Sequence, residues 1–124
     1  MLLYSELTNK ILKAAFMVHS ELGCGFFEKV YQEALAITLE EMNIPYEREK
    51  HLDVMYHGRL LDCDYIADFV VDNKVILELK AVKKLETVFE AQLINYLKAT
   101  GLKVGFVVNF GEEHLNFKRI YRGD

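Results

Sequence analysis

The chain has 124 residues, 52% hydrophobic and 27% charged. That composition excludes a disordered chain and suits one domain of ordinary size with a real apolar core. The formal net charge of −4 argues against non-specific nucleic-acid binding over the whole surface, though a local basic rim around an acidic, metal-loaded site is compatible with it. No apolar run approaches the ~20 residues of a membrane span, and the N-terminus lacks a signal-peptide layout, so a cytoplasmic protein without membrane contact is expected. Cys24 and Cys63 stand far apart without metal-ligand spacing and read as free thiols of a reducing compartment.

Apolar positions Leu7, Ile11, Ala14, Ala15, Val18 and Leu22 recur at helical spacing and predict a first helix from Ser5 to Leu22, stopped at Gly23. His19 lies beside that stripe and reads as a structural histidine. A second helix is expected from Phe26 to Met42, burying Phe27, Val30, Tyr31, Ala34, Leu35, Thr38 and Met42. Glu28 falls in its first turn, where a carboxylate suits the helix dipole. Glu28, Tyr31, Gln32 and Leu35 occupy adjoining positions three and four apart.

Pro45 introduces a long polar strand, Tyr46 to Tyr56, followed by a His57-Gly58 turn that pairs Tyr56 with Arg59. On this register Glu47, Glu49, His51 and Asp53 share a face with Asp62, Asp64 and Asp68, an acidic ladder that reads mostly as solvated surface. Thr87-Val-Phe-Glu90 fits a capping box and opens a third helix, Val88 to Thr100, which buries Phe89, Leu93, Tyr96 and Leu97 and closes at Gly101. Gln92 and Tyr96 stand one turn apart on its flank. Lys103 to Phe110 is apolar enough for a buried strand, and Leu115 to Tyr121 makes a final one. The layout is α/β (α+β), with element order ααβββαββ and a central mixed sheet of about five strands flanked by helices.

The stretch Asp68-Phe-Val-Val-Asp-Asn-Lys-Val-Ile-Leu-Glu-Leu-Lys80 carries the chemistry. It reads as the end of one strand, a polar turn and a second strand. Asp68, Glu78 and Lys80 interrupt runs that should be core, and buried charge is costly unless paired or metal-bound. Parity decides the register. A two-residue loop would set Asp68 opposite Leu77, whereas a three-residue loop at Asp72–Lys74 pairs Val71 with Val75 and sets Asp68 opposite Glu78. Only the latter gathers Phe69, Val71, Val75, Leu77 and Leu79 on one apolar face, and it brings the two carboxylates to roughly 5 Å between Cβ atoms. Such a pair suits a hard cation such as Mg²⁺, with the Leu79 carbonyl as a further oxygen ligand. Lys80 would orient water or stabilise phosphate charge.

Asp68, nine intervening residues and Glu78-Leu79-Lys80 resemble the signature of the PD-(D/E)xK nuclease superfamily. Gly25-Phe-Phe-Glu28-Lys-Val-Tyr31 resembles the motif of the GxxExxY proteins, as do the blocks Ala67 to Val71, Glu78 to Val82 and Glu90 to Gly105. The likeness runs from Leu7 to Arg119. It implies a restriction-endonuclease-like core, Asp68 and Glu78 as metal ligands, Lys80 as the catalytic lysine and Glu28 as a third, helix-borne ligand. Gln92 and Tyr96 resemble a glutamine–tyrosine pair near the substrate in the exonuclease-like branch. Ala67 stands where the superfamily name has proline, which many members lack. The implied activity is Mg²⁺- or Mn²⁺-dependent cleavage of nucleic acid, DNA ahead of RNA. The competing readings are a non-catalytic module on the same fold, and a plain Glu78–Lys80 ion pair with Asp68 capping a turn. Small size and an exposed edge strand are compatible with a homodimer offering two sites to a duplex.

Overall fold

The computed structural model describes residues 2–63 and 65–123. Its elements are α1 (Ser5–Leu22), α2 (Glu28–Glu41), β1 (Tyr46–Leu52), β2 (Met55–Tyr56), β3 (Arg59–Leu60), β4 (Tyr65–Val71), β5 (Val75–Lys80), α3 (Thr87–Thr100), β6 (Val104–Asn109) and β7 (Asn116–Tyr121). Five strands form a central sheet in the order β1-β4-β5-β6-β7, and β2-β3 is a separate ribbon. Only β5 and β6 run parallel, and α3 provides the crossover between them. This is a mixed α/β architecture consistent with a restriction-endonuclease-like fold, as the element order predicts.

The sheet is a two-sided partition, so its strands read as apolar runs. Phe69, Val71, Val75, Leu77, Leu79, Val104, Phe106 and Val108 pack with α1 and α2. Val70, Ile76 and Val107 pack with Leu93 and Leu97 of α3 on the other face. All six residues of β6 are buried, as a central parallel strand requires. Among the described residues no helix is long and apolar enough to cross a membrane. His19 has the structural role expected of it: its Nε2 is 2.8 Å from the Glu112 carbonyl oxygen, and its ring lies against Phe110.

Three expectations need correction. First, α2 begins at Glu28, and Phe27 is 86% exposed rather than buried. Gly25 has φ 112°, a conformation that a side chain would resist, and Phe27 is extended at φ −68°, ψ 153°. The chain therefore turns into the helix two residues late, and Gln32, Ala36 and Leu39 join the buried stripe instead.

Second, the long strand is broken. The His57-Gly58 turn does pair Tyr56 with Arg59, but the ribbon stops there and β1 pairs with β4 in a register shifted by two, with Leu52 opposite Tyr65. Asp53 and Asp62 lie outside the strands, and Asp64 lies outside the described residues. Glu49 adopts φ 50° within β1. Consecutive side chains then reach the same helix, Arg48 to Glu33 and Glu49 to Lys29. The β1–β4 pairing is nonetheless the same on either side of Glu49, and exposure still alternates along β1, so the acidic ladder is cut short because Asp53 and Asp62 lie outside the strands. Glu47 pairs instead with Lys50.

Third, Thr87 is already helical. The N-cap is Glu86, without a side-chain cap bond, and the Phe89 N–H donates to the Glu86 carbonyl. The capping box is absent because the helix starts one residue earlier than the motif requires.

Candidate active site

The turn that joins β4 and β5 has the odd length that parity demands. Asp72 and Asn73 both adopt left-handed conformations, at φ 51° and 55°, which their short polar side chains tolerate better than most. The Lys74 N–H donates to the Val71 carbonyl at 2.9 Å, closing the turn. Val71 then pairs with Val75, Val70 with Ile76 and Phe69 with Leu77. Continuing that register sets Asp68 beside Glu78.

The backbone ladder ends at Phe69–Leu77, and side chains take over from it. The Leu79 N–H donates to Asp68 Oδ2 at 2.7 Å, and the Asp68 N–H donates to Glu78 Oε1 at 3.3 Å. Each carboxylate thus occupies a backbone donor of the strand opposite. Both groups are pinned at the carboxyl end of β5, where open α/β sheets usually place their ligands.

Electrostatics make this a strained pair. Glu78 is 8% exposed, and its carboxyl is pushed up to about 8, first by burial and then by the charge of Asp68. Asp68 is also raised by burial, against the pull of the Leu79 N–H and the Lys80 charge. Two acids this close hold one proton between them at neutral pH.

Lys80 is half-buried on the α3 face, with its Nζ 4.6 Å from the centre of the Phe89 ring. Its charge acts on Asp68, Glu78 and Glu28 alike. Glu28, at the start of α2, is solvent-exposed. Its carboxyl is nevertheless raised, chiefly by desolvation and then by Asp68. The predicted third acid therefore faces the same field as the pair. Among the described residues, no three His, Cys, Asp or Glu side chains are drawn together closely enough to hold a metal ion as they stand. Asp68 and Glu78 are in contact, and Glu28 stands off from them.

Tyr96 is half-buried with its hydroxyl held protonated, by burial first and by Glu78 next. Its ring meets Tyr65 edge to face at 5.1 Å between centroids. Gln92, one turn earlier, is exposed.

Sequence reasoning missed two supports of the site. Asn109 is fully buried at the register position beside Lys80. Its Oδ1 accepts from the Val82 and Gly111 N–H groups, and its Nδ2 donates to the Val82 carbonyl and to Glu112 Oε2. This fixes the chain where it leaves Lys80. Gly111 passes so close that a Cβ would overlap the Val82 backbone. The available signal was a single polar residue interrupting the apolar run Val104–Phe110. Tyr31 is the second support: its hydroxyl donates to the Gly23 carbonyl at 2.6 Å and accepts from the Phe26 N–H at 3.3 Å. It ties down the loop that delivers Glu28.

No curated protein matches the chain. Among solved structures the chain is similar to the crystal structure of SSO0001, at 18% identity and a TM-score of 0.58. The match covers 78% of this chain and 51% of that one. This chain therefore spans about half the length of that protein, and the likeness is one of fold. The family model described as the PD-(D/E)XK nuclease superfamily matches residues 5–120. Nearly every element, and the whole Asp68–Lys80 hairpin, falls within that match. The chain belongs to the PD-(D/E)XK nuclease superfamily.

Proposed function

We propose that this chain, as one nuclease-like domain over residues 1–124 and of the GxxExxY type, is a Mg²⁺- or Mn²⁺-dependent phosphodiesterase acting on nucleic acid, DNA ahead of RNA. The observation that carries the reading is the pairing of Asp68 and Glu78, each carboxylate buried on a backbone N–H of the strand opposite, with Lys80 next in line. Crowded carboxylates forced to retain a proton are what an oxygen-seeking divalent cation relieves, by replacing that proton.

Asp68 and Glu78 would hold the ion. Glu28, exposed and already within their field, would complete the set by rotation of its side chain. When bound, the ion supplies an activated water and polarises a phosphoryl oxygen. The Lys80 ammonium offsets charge that builds on the phosphate, in a half-buried setting where it counts for more than in water. Tyr96, kept protonated, can donate a hydrogen bond to a phosphate oxygen. Gln92, exposed one turn away, can meet the substrate backbone.

Cleavage of labelled DNA with Mg²⁺, Mn²⁺ or chelator tests the reading. Asp68→Ala and Glu78→Ala should abolish metal-dependent cleavage with an unchanged circular dichroism spectrum, and Lys80→Ala should lower the rate by about a hundredfold or more. Parent-like cleavage by the Lys80→Ala protein would remove Lys80 from the mechanism.

One observation favours a non-catalytic module on the same fold. Cations of β1 and α2 are already engaged within the protein, Lys29 with Glu49, Arg48 with Glu33 and Lys50 with Glu47. Calorimetric titration separates the two readings, since a protein that binds neither Mg²⁺ nor Mn²⁺ fits the module.

A further inference from the structure

We propose that Phe27 is a base-stacking residue of this site and that the nucleic acid it takes up is single-stranded; the assignment rests on the nucleic-acid reading above and names its substrate class.

Phe27 is 86% exposed, and it immediately precedes Glu28. Exposing a phenyl ring forgoes burial worth about 1.5–3 kcal/mol, and the fold leaves that ring in solvent. The Phe27 backbone is nonetheless braced, with its carbonyl accepting from the Val30 N–H at 3.0 Å. The Tyr31 hydroxyl bonds both Gly23 and Phe26, the Phe26 ring sits edge-on to Tyr31, and the Tyr31 ring is stacked on the buried Phe110 at 4.7 Å. A braced loop therefore holds the Phe27 ring out into solvent, with the partly exposed Phe26 before it and Glu28, whose carboxyl feels the charge of Asp68, after it. Rigid aromatic presentation next to phosphate chemistry is the arrangement that binds unpaired bases, because each base offers a π-face and stacking is indifferent to sequence.

Charge points the same way. Duplex binding is carried mainly by phosphate contacts to cations. Here the net charge is −4, and Lys29 and Arg48, cations of the β1–α2 corner beside the loop, are held by Glu49 and Glu33. Stacking must then supply affinity that the electrostatic field does not. In a duplex the base faces are covered by their neighbours; in a single strand they are open to Phe27.

The chain contains no tryptophan, so Phe27→Trp installs a single indole reporter. The titrant is a short unlabelled oligothymidylate, with its oligoadenylate duplex as comparison and Ca²⁺ in place of Mg²⁺ to prevent turnover. Phe16→Trp is the control, since Phe16 lies on α1 against Phe117. The expected result is that the single strand quenches the emission of the Phe27→Trp protein and leaves that of the Phe16→Trp protein unchanged. In parallel, anisotropy of a fluorescein-labelled oligothymidylate should show Phe27→Ala weakening single-strand binding about tenfold, the size of one base–aromatic stack, with little effect on the duplex. Unchanged emission of the Phe27→Trp protein, parent-like binding by Phe27→Ala, tighter binding of duplex than of single strand, or no oligonucleotide binding by the parent would each overturn the assignment. Emission that shifts with protein concentration but not with oligonucleotide would overturn it too, marking a protein contact instead. The two readings fail separately. Binding and quenching without metal-dependent cleavage would sink the phosphodiesterase alone, and cleavage that is indifferent to Phe27→Ala would sink the stacking role alone.

Discussion

Glu78→Gln should make the protein more stable at alkaline pH, although it removes a residue at the centre of the site. In the folded protein burial and the charge of Asp68 push the Glu78 carboxyl up to about 8, against 4.5 for an ordinary glutamate. Between those values the native state holds a proton that the unfolded chain has released. Stability contributed by this group is therefore complete below the lower value and is lost as pH rises through the upper one. Each pH unit in that window costs about 1.4 kcal/mol, so moving from about pH 5 to about pH 8 costs up to ~4 kcal/mol. Glutamine has no proton to lose, and its carbonyl oxygen can still accept from the Asp68 N–H. Urea denaturation of parent and variant in chelator, at both pH values, reads the difference directly. The parent should lose about 2–4 kcal/mol more than the variant over this range. Mg²⁺ at a hundredfold excess over its dissociation constant should return about 2.7 kcal/mol to the parent near pH 8 and much less to the variant. Parallel pH dependences for the two proteins would refute the picture of a buried, repelling carboxylate pair.

Three further outcomes follow from the supports of the site. Asn109→Ala strips the partners from both polar groups of Val82 and should cost about 2–4 kcal/mol in chemical denaturation. Gly111→Ala drives a methyl group into the Val82 backbone; a loss of about 3 kcal/mol or more, or failure to accumulate as soluble protein, is expected. Tyr31→Phe keeps the ring stacked on Phe110 but frees the Gly23 carbonyl. A thermal melt should show a cost of about 1–2 kcal/mol, and hydrogen exchange should quicken at Phe26, whose N–H loses its acceptor.

Periodicity and parity carried much of this structure because they are local rules. The first helix falls on its predicted bounds, Ser5–Leu22, since its apolar stripe and its glycine stop lie within one segment. The Asp72–Lys74 loop was legible because a one-residue slip would have exchanged every side chain of β5 between faces. Where a prediction needed an uninterrupted strand it failed. The run expected from Tyr46 to Tyr56 stops at Leu52 and resumes only in the separate β2–β3 ribbon, and nothing between Tyr46 and Tyr56 announces that break. Spacing alone assigns Phe27 to the core, yet the turn at Gly25 sets the helix start and leaves the ring in solvent.

The same division runs through the site. By itself the sequence determined that Asp68 and Glu78 are neighbours, because alternation along two strands and the length of the turn between them leave no other arrangement that keeps the apolar face intact. Only the tertiary structure decided what that proximity means. The strands part after Phe69–Leu77, so the carboxylates occupy backbone donors and burial raises both of them. Glu28 arrives from α2 and Tyr96 from α3, distant in sequence and joined to the pair only by their charge and desolvation. Desolvation is a property of everything packed around a group, and no stretch of sequence contains it.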